Sequence, residues 1–354
     1  MEAAFTVIIS LLVFGFLIFI HEFGHYFFAR LFKVSITEFS IGMGPKLLWF
    51  DSKKTGIRYS LAAIPIGGFV AMVGEDEESS DPNSFDKKPA WQRFIITAAG
   101  ATVNIVAGFL AMLVIVGIIN IGGTTIHSFH DDATMEEIGI TDTSLRSEGF
   151  LMAGDEITHI DGKKVLLVDE LSYEIMRKGN QPVDITVIRN GESILIEDVT
   201  FPQLEQQGQV FGTMDFMVYR IDKGIGNFFS IAFRKTVLIM RMCWESIYDL
   251  LTGRYTVAAL SGPVGISGAI GDAAKAGFAS LLNVVVLISI NLGFMNLLPI
   301  PALDGGRLLV IFVEMVTGKT LPKRVEGLVN GIGLAVLLLL SVLIMVKDVI
   351  QLIF

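Results

Sequence analysis

The sequence predicts a polytopic α-helical membrane protein with four transmembrane helices, a β-hairpin region after the first helix, and one small α/β domain outside the membrane. Of the 354 residues, 52% are hydrophobic and only 18% are charged, which is untypical of a soluble globular domain. Four apolar runs approach the roughly 20 residues that a helix needs to cross a bilayer. The predicted regions are an N-terminal membrane region at 1–122, the α/β domain at 123–202, an amphipathic linker region at 203–275, and a C-terminal membrane region at 276–354.

The four predicted spans are Ala3 to about Phe28, Phe94 to about Gly122, Ala276 to about Leu298, and Gly327 to Val346. The first run is too long for a cleaved signal peptide and has no basic segment before it, so we expect it to be retained. The short flanking loops carry Arg30, Lys33, Lys87, Lys88, Arg93, Arg307, Lys319, Lys323 and Arg324. Under the positive-inside rule these loops are cytosolic, which places both termini and the long segment after the second span outside.

The most informative motif, His21-Glu22-Phe23-Gly24-His25, lies at the end of the first run. On a helix, His21 and His25 are one turn apart and can bind one zinc ion together. Glu22 can then take a proton from water at the metal, as in zinc hydrolases. Ionisable groups at membrane depth are functional candidates by default. The alternative is a helix end whose polar side chains merely reach the headgroups.

A glycine-rich region follows the first span. Segments 40–44 and 64–70 flank the strand-like runs Lys46–Phe50 and Ile57–Ala62. Glycines between β-type segments predict hairpins with close backbone approach. The hairpin is either soluble or dips into the membrane, where protein or a water-filled cavity must satisfy its backbone. The acidic loop Glu75–Ser84 that follows is expected to be solvated and mobile.

Residues 123–202 have the pattern of a small α/β domain. We expect a strand at Thr124–Phe129, a helix at Val168–Lys178, and a hairpin whose turn is Asn190-Gly191. This order, with Ala153-Gly154-Asp155 ahead of a strand, resembles the circularly permuted PDZ domains of bacterial membrane and envelope proteases. The resemblance implies binding of an extended segment by strand addition. A spacer domain with an unused groove is the alternative.

The region after this domain is predicted to contain an amphipathic helix. Residues 226–252 carry apolar groups on one face and Arg234, Lys235 and Arg241 on another. Such a helix either lies along the outer surface of the membrane or packs against the α/β domain. Cys243 is the single cysteine, and we expect it to be buried or interfacial. It allows no intrachain disulfide and no cysteine-based metal site.

A catalytic zinc site needs three protein ligands and one open position. The candidate for the third ligand is Asp304, because two prolines before it end or unwind the third span. Asp304 then lies in a glycine-flanked turn at the same cytosolic depth as His25. Its alternative role is to cap the following helix. Asn291 and Asn296 in the same span could act as contacts between helices in lipid.

Over nearly its whole length the chain resembles the site-2 protease family of intramembrane metalloproteases, in particular its bacterial RseP/RasP-type group. The segments that carry the resemblance are His21–His25, Asn296–Gly306, the glycines at 42–44 and 67–68, Lys88–Arg93, Ala99–Asn104 and Ser261–Ile266. Many RseP-type members have tandem PDZ domains, whereas this chain has room for one. That difference affects substrate gating and not the chemistry.

The resemblance implies the roles of the site residues. His21, His25 and Asp304 would bind Zn²⁺, and Glu22 would be the general base. The reaction would be hydrolysis of a peptide bond inside or at the edge of a transmembrane helix. A helical substrate must unwind before attack, since its carbonyl groups are already hydrogen-bonded.

The resemblance also implies how substrate is held. Asn291 and Asn296 would help to hold it, and Gly67 and Gly68 would belong to a membrane-associated β-hairpin that presents it in extended form. The expected partners are the lipid bilayer and single-pass membrane proteins already trimmed on the outer side, such as anti-sigma factors, together with remnant signal peptides. The expected location is the bacterial inner membrane, with the active site near the cytosolic side.

Other functions fit the sequence less well. A zinc transporter would need polar ligands along several spans, but the second and fourth predicted spans contain no charged residue. An inactive membrane adaptor is disfavoured by the intact metal and base residues. No basic cluster with interleaved aromatic residues indicates nucleic-acid binding. The oligomeric state, the physiological substrate and the upstream protease are left open.

Overall fold

The computed structural model describes residues 2–137, 139–140, 145–206, 209–254 and 261–353. The chain forms two compact units, one of Met1–Ile115 with Ile239–Phe354 and the other of Val116–Leu238. Within the described residues the helices are α1 (Glu2–Leu31), α2 (Ala90–Ile118), α3 (Asp132–Glu137), α4 (Val168–Lys178), α5 (Ile225–Leu251), α6 (Pro263–Ala276), α7 (Phe278–Leu297), α8 (Asp304–Thr317) and α9 (Lys323–Ile353). The strands are β1 (Ile36–Asp51), β2 (Arg58–Met72), β3 (Gly122–Phe129), β4 (Glu156–Ile160), β5 (Lys163–Lys164), β6 (Val183–Arg189), β7 (Glu192–Val199), β8 (Gln203–Gln206), β9 (Gln209–Gly212) and β10 (Phe216–Arg220).

The four predicted apolar spans are confirmed as helices. In the described chain, α1, α2, α7 and α9 are long and apolar enough to cross a membrane. Many large apolar side chains on α9 face outward, such as Leu328 at 65% exposure and Leu334 at 51%. Outward apolar side chains are expected of a helix that is surrounded by lipid. The first helix continues through the His21–His25 motif to Leu31, so the motif is helical as predicted.

The predicted hairpin region is a β-sheet in which β1 and β2 pair with several register shifts. Phe39 in the first half of β1 pairs with both Tyr59 and Val70 of β2. The first half of β1 therefore lies between the two halves of β2, and residues 68–72 form an edge of the sheet. Both strands are longer than the predicted runs because glycines bend them without ending them. Gly67, for example, has a φ of +81°, which a residue without Cβ adopts at little cost.

The acidic loop after β2 differs from the prediction. The expectation that Glu75–Ser84 is solvated is wrong at both ends of the loop. Ser84 is buried, and the side chain of Glu75 is 19% exposed and paired with Arg307. Asp76, the next residue, is 84% exposed and fits the prediction. The local composition is acidic and polar, so it does not indicate a cation that comes from a distant helix.

The second unit contains a sheet in the order β10-β3-β4-β6-β7, with β5 paired to β4. All these pairings are antiparallel. Its core includes Ile126, Leu151, Ile157, Leu171, Ile185, Phe201 and Phe216. The predicted strand, helix and hairpin occur as β3, α4 and β6–β7. The hairpin turn has φ +54° at Asn190 and +85° at Gly191, as its sequence predicts.

The predicted boundary at residue 202 and the linker at 203–275 are wrong. β10 pairs with β3, so the sheet includes residues beyond 202. The region also forms α5 and a separate helix, α6, which packs against α1 through Ile270. The pairing of β10 joins segments about 90 residues apart, and such a long-range partner is not visible in local periodicity.

The predicted amphipathic helix is α5. Lys235 donates a hydrogen bond to Asp169 of α4 at 2.8 Å, and Arg234 lies 3.7 Å from Glu170. Two of the three predicted basic side chains, Arg234 and Lys235, thus contact the α/β unit, in agreement with the second of the two interpretations. Cys243 is buried, as expected.

Candidate metal centre

α1 presents two imidazoles on one face. His21 and His25 are separated by one helical turn, and their Nε2 atoms are 3.3 Å apart. Their side chains are only 12% and 10% exposed. The helix itself therefore supplies a pair of nitrogen atoms in a largely enclosed position.

Asp304, the first residue of α8, completes the group. Its Oδ2 atom lies 3.2 Å from Nε2 of His21 and 3.3 Å from Nε2 of His25. Among the described residues, these three form the one cluster of three or more histidine, cysteine or acidic side chains whose ligand atoms could hold a metal ion. The structure thus brings together the three residues that the sequence singled out.

The donor atoms fit a zinc ion in number, type and spacing. Two imidazole nitrogens and one carboxylate oxygen are a zinc ligand set, and bonds of about 2.0–2.1 Å in a tetrahedron place neighbouring ligand atoms about 3.3 Å apart. The three observed separations are 3.2, 3.3 and 3.3 Å. Oδ2 of Asp304 is also buried without a hydrogen-bond partner, and a cation at this position would remove the cost of that unpaired atom.

Contacts between α1 and α2 hold the imidazole of His25. Its Nδ1 lies 2.9 Å from the carbonyl oxygen of Ile96. Donation from Nδ1–H to that oxygen leaves Nε2 free as a ligand atom. A Cβ at Gly100 would lie 2.2 Å from Nε2 of His25, and one at Gly24 would lie 2.6 Å from the carbonyl oxygen of Ala99. Both positions therefore require glycine for the helices to approach each other.

Asn104 of α2 contacts the other imidazole. Its side-chain nitrogen lies 3.5 Å from Nδ1 of His21, and its side-chain oxygen is buried without a partner. Amide nitrogen and oxygen are nearly interchangeable in shape. Turned over, the amide oxygen accepts a hydrogen bond from Nδ1–H, which satisfies both atoms and directs Nε2 toward Asp304. This segment carries part of the family resemblance, but no role was predicted for Asn104, although a polar residue in an apolar span indicates a functional candidate.

Glu22 lies beside the three clustered side chains at the wall of a cavity of about 420 Å³. The cavity is lined by His21, Glu22, His25, Gly68, Phe69, Val70, Ala71, Met72, Glu75, Asp76, Thr97, Asp304 and Arg307. A Cβ at Gly68 would lie 2.8 Å from Cγ of Glu22, so the sheet edge reaches the glutamate because position 68 has no side chain. Gly67 forms the bend just before this edge and is not in the lining.

The backbone of the edge strand faces the cavity in alternation. The carbonyl oxygen of Ala71 accepts a hydrogen bond from a side chain of β1 at 3.1 Å. The N–H of Val73 donates to the carbonyl oxygen of the residue before β1 at 2.8 Å. Backbone groups alternate in direction along a strand of an antiparallel pair, so residues 68 and 70 direct theirs to the free edge. The carbonyl oxygen of Met72 instead accepts a hydrogen bond from the N–H of Glu75 at 3.3 Å.

Asn291 and Asn296 lie on α7 and are not among the described residues that line the cavity. Asn291 is exposed and Asn296 is half-buried. The structure instead places Glu75, Thr97 and Arg307 at the cavity, none of which the sequence indicated as a site residue. The one sequence signal for Arg307 was its place three residues after Asp304.

Comparison with known proteins agrees with this geometry. The sequence profile of Peptidase family M50 matches residues 9–340. A protein of Clostridium acetobutylicum named as a candidate zinc metalloprotease is 34% identical over 348 residues, which cover 98% of each chain. RasP of Bacillus subtilis, named as the regulator of sigma-W protease, is 27% identical over 426 aligned residues, covering 97% of this chain and 98% of RasP. The zinc metalloprotease RasP of Bacillus licheniformis has the same identity and coverage.

The matched range includes both segments that form the metal centre and all or most of the four apolar helices. The nearly complete coverage of both chains extends the likeness to the second unit. The chain therefore belongs to peptidase family M50 and is an intramembrane zinc metalloprotease of the RseP/RasP type.

Proposed function

We propose that this protease cuts single-pass membrane proteins within their transmembrane segments, with zinc held by His21, His25 and Asp304. The observation that supports this most directly is the set of three ligand-atom separations, 3.2, 3.3 and 3.3 Å. Glu22 lines the same cavity, which places a carboxylate beside the proposed metal.

Zinc bound by these atoms supplies a Lewis acid that polarises the scissile carbonyl group and lowers the pKa of water. Glu22 accepts a proton from the attacking water and delivers it to the leaving nitrogen. The imidazole of His25 keeps its orientation through its Nδ1 contact with Ile96, and Asn104 does the same for His21. The protein thereby fixes the ligand atoms before substrate arrives.

The substrate pairs with the free edge of residues 68–72. A transmembrane helix has its carbonyl groups hydrogen-bonded internally, so the scissile segment must unwind, and an edge strand supplies new partners for its backbone. The absence of a side chain at Gly68 allows the paired segment to approach Glu22. Asn291 and Asn296 are proposed as further substrate contacts on the strength of the family resemblance alone.

The proposed orientation places both termini and the second unit outside the bacterial inner membrane. It rests on the lysine and arginine residues of the short loops, such as Arg30, Lys88 and Arg324. The second unit acts as a PDZ-like domain that admits substrates already trimmed on the outer side. β10 is an edge strand of its sheet, where a segment could be added. Anti-sigma factors are a proposed substrate class, since one relative is named for the regulation of sigma-W, and remnant signal peptides are a second class.

The Glu22→Gln variant tests this function. We expect it to keep one zinc per chain, because the substitution removes the base and no ligand. Cleavage should fall by at least about 10²–10⁴-fold. Membrane proteomics of a strain that carries the variant should show accumulated single-pass fragments. Near-normal cleavage would mean that another group activates the water.

A further inference from the structure

An ion pair joins α8 to the end of the edge strand. Arg307 of α8 pairs with Glu75, which lies three residues after the last residue of β2. Nη2 of Arg307 also donates to Oδ1 of Asp76 at 2.8 Å, and its Nε lies 3.5 Å from Glu326. The side chains of Arg307 and Glu75 are 20% and 19% exposed, whereas that of Asp76 is 84% exposed. Of the two acidic partners that follow the strand in sequence, Glu75 is therefore the enclosed one.

A second cation holds the same turn by its backbone. Nζ of Lys323, the first residue of α9, donates to the carbonyl oxygens of Gly74 at 2.8 Å and Glu75 at 3.1 Å. Gly74 has a φ of +79°, and a Cβ there would lie 2.1 Å from Oδ1 of Asp86. The turn after β2 is thus held in one conformation from two helices of the C-terminal membrane region.

Arg307 and Asp304 belong to the same helical turn. Residues three apart on a helix lie on one face, and both side chains line the cavity that contains Glu22. One turn of α8 therefore carries a zinc-ligand candidate and the cation that fixes the end of the edge strand. The strand and the metal position are connected through this turn.

We propose that Arg307 is a positioning residue that sets the register of the substrate against the metal. By pairing with Glu75 it fixes residues 68–72 relative to Asp304, so that one peptide bond of a paired substrate lies beside the metal and Glu22. This role rests on the proposed strand pairing. Residues along a strand are spaced by about 3.3 Å, so a shift of the edge strand by one residue brings a different bond to the metal.

The test compares Arg307→Gln, Glu75→Gln and the charge-reversed pair Arg307→Glu with Glu75→Arg. The matched control is Glu314→Gln, because Glu314 also lies on α8 and pairs with Arg93 at 2.5 Å, with side chains 17% and 15% exposed. The substrate is a tagged Leu-rich single-pass peptide with a central Gly-Pro pair, chosen from a panel because the wild type cuts it. Mass spectrometry maps the cut bonds, and zinc content reports whether Asp304 still functions.

We expect both single variants to retain zinc but to spread cleavage over neighbouring bonds, with a loss of roughly 10–100-fold at the main bond. The charge-reversed pair should restore one main bond, and Glu314→Gln should keep it. A lower rate at an unchanged bond would overturn the proposal, because a merely structural role lowers activity without moving the site. Unchanged rate and site would overturn it as well.

Hydrogen exchange of the full-length protein in detergent gives a readout that needs no substrate. Loss of the Arg307–Glu75 pair should increase exchange at residues 68–77 and leave α1 unchanged. Unchanged exchange at 68–77 would contradict the proposal, even if Arg307→Gln folds poorly and only Glu75→Gln can be measured. The Val70→Pro variant distinguishes failure of the strand pairing from failure of the positioning role. If Val70→Pro cuts substrate normally, the proposed strand pairing is wrong. If Val70→Pro is defective but Arg307→Gln cuts at the wild-type bond, only the positioning role of Arg307 is overturned.

Discussion

Asp304 is the one carboxylate among the three proposed zinc ligands. It lies on a helix about 280 residues after His21 and His25 in the sequence. Its Oδ2 lies 3.2 and 3.3 Å from their Nε2 atoms. The histidine pair is set by α1 alone, whereas the carboxylate depends on how α8 packs. Two ligands are too few for a catalytic zinc site, so zinc binding depends on the packing of α8 against α1.

We expect Asp304→Ala to lose most of its zinc because one of three ligands is removed. Metal analysis of the purified variant measures this directly, with Glu22→Gln as the control that should keep one zinc per chain. Full stoichiometric zinc in Asp304→Ala would remove this residue from the proposed site.

The strand at 68–72 is the element that relates the zinc site to a substrate. One side of it is occupied by β1, and the other faces the cavity. Every second residue of this strand can offer its backbone N–H and carbonyl groups to an added strand. Because the edge lies at a cavity, it is protected from the pairing with unrelated chains to which exposed edges are prone.

We expect Val70→Pro to weaken cleavage, because proline removes a backbone donor that faces the free edge. The loss should be largest for substrates with strongly helical spans and smallest for spans that Gly or Pro already interrupts. A cleavage assay on matched substrate pairs measures this difference. Equal loss for both classes would indicate general misfolding, and no loss would place the substrate elsewhere.

In the second unit, one ion pair fixes the turn before β4. Asp155 accepts hydrogen bonds from Nε and Nη2 of Arg189, each at 2.8 Å, and from the N–H of Met152 at 2.8 Å. Burial alone raises the pKa of Asp155, but the bonds from Arg189 and Met152 outweigh it and hold this pKa below its ordinary value. The carboxylate therefore stabilises the fold above about pH 4, and this contribution is lost as pH falls through the lowered pKa.

Asp155→Asn should lower the stability at pH 7 by about 1–3 kcal/mol. The difference from wild type should shrink as pH falls below about 4 and through the lowered pKa of Asp155, since the wild-type carboxylate then becomes protonated. Denaturation of the detergent-solubilised protein at several pH values measures it. Asp132→Asn is the control, because Asp132 pairs with Arg146 at 81% exposure and should matter little. A difference that does not change with pH would contradict the role of this carboxylate.

At the scale of the whole molecule, the proposed active-site cavity is formed by one of the two units alone. Every residue that lines the cavity lies in the unit of Met1–Ile115 with Ile239–Phe354. The N–H of Ile221 donates to the carbonyl oxygen of Ile121 at 3.0 Å, so the chain enters and leaves the six-stranded sheet at adjacent points. Residues 122–220 can therefore be replaced by a short Gly-Ser link.

We expect this deletion to allow cleavage of bulky substrates that have not been trimmed, because the proposed size filter is removed while the cavity is retained. The assay compares trimmed and untrimmed forms of one substrate. Glu22→Gln in the deletion background controls for other proteases. If the deletion variant cuts trimmed substrate but still leaves the untrimmed form intact, the filter idea fails.

The amino-acid sequence by itself determined the four apolar helices, the helical His21–His25 motif, α4 and the Asn190-Gly191 hairpin. These features depend on length, hydrophobic periodicity and local turn chemistry, which are all present in short segments. Glu22 and Asp304 were also candidates from the sequence, and the family resemblance implied their roles as general base and third zinc ligand.

Only the tertiary structure decided which distant segments meet. It brought Asp304 to the two histidines, extended the second unit through the pairing of β10 with β3, and buried Glu75 against Arg307. It also left Asn291 and Asn296 away from the cavity lining. A short segment carries the information for its own backbone conformation, but the choice of a partner about 90 or 230 residues away depends on the packing of the whole chain. Local patterns do not contain that choice, and for this reason the pairing of Glu75 with Arg307 at the cavity was found only in the fold.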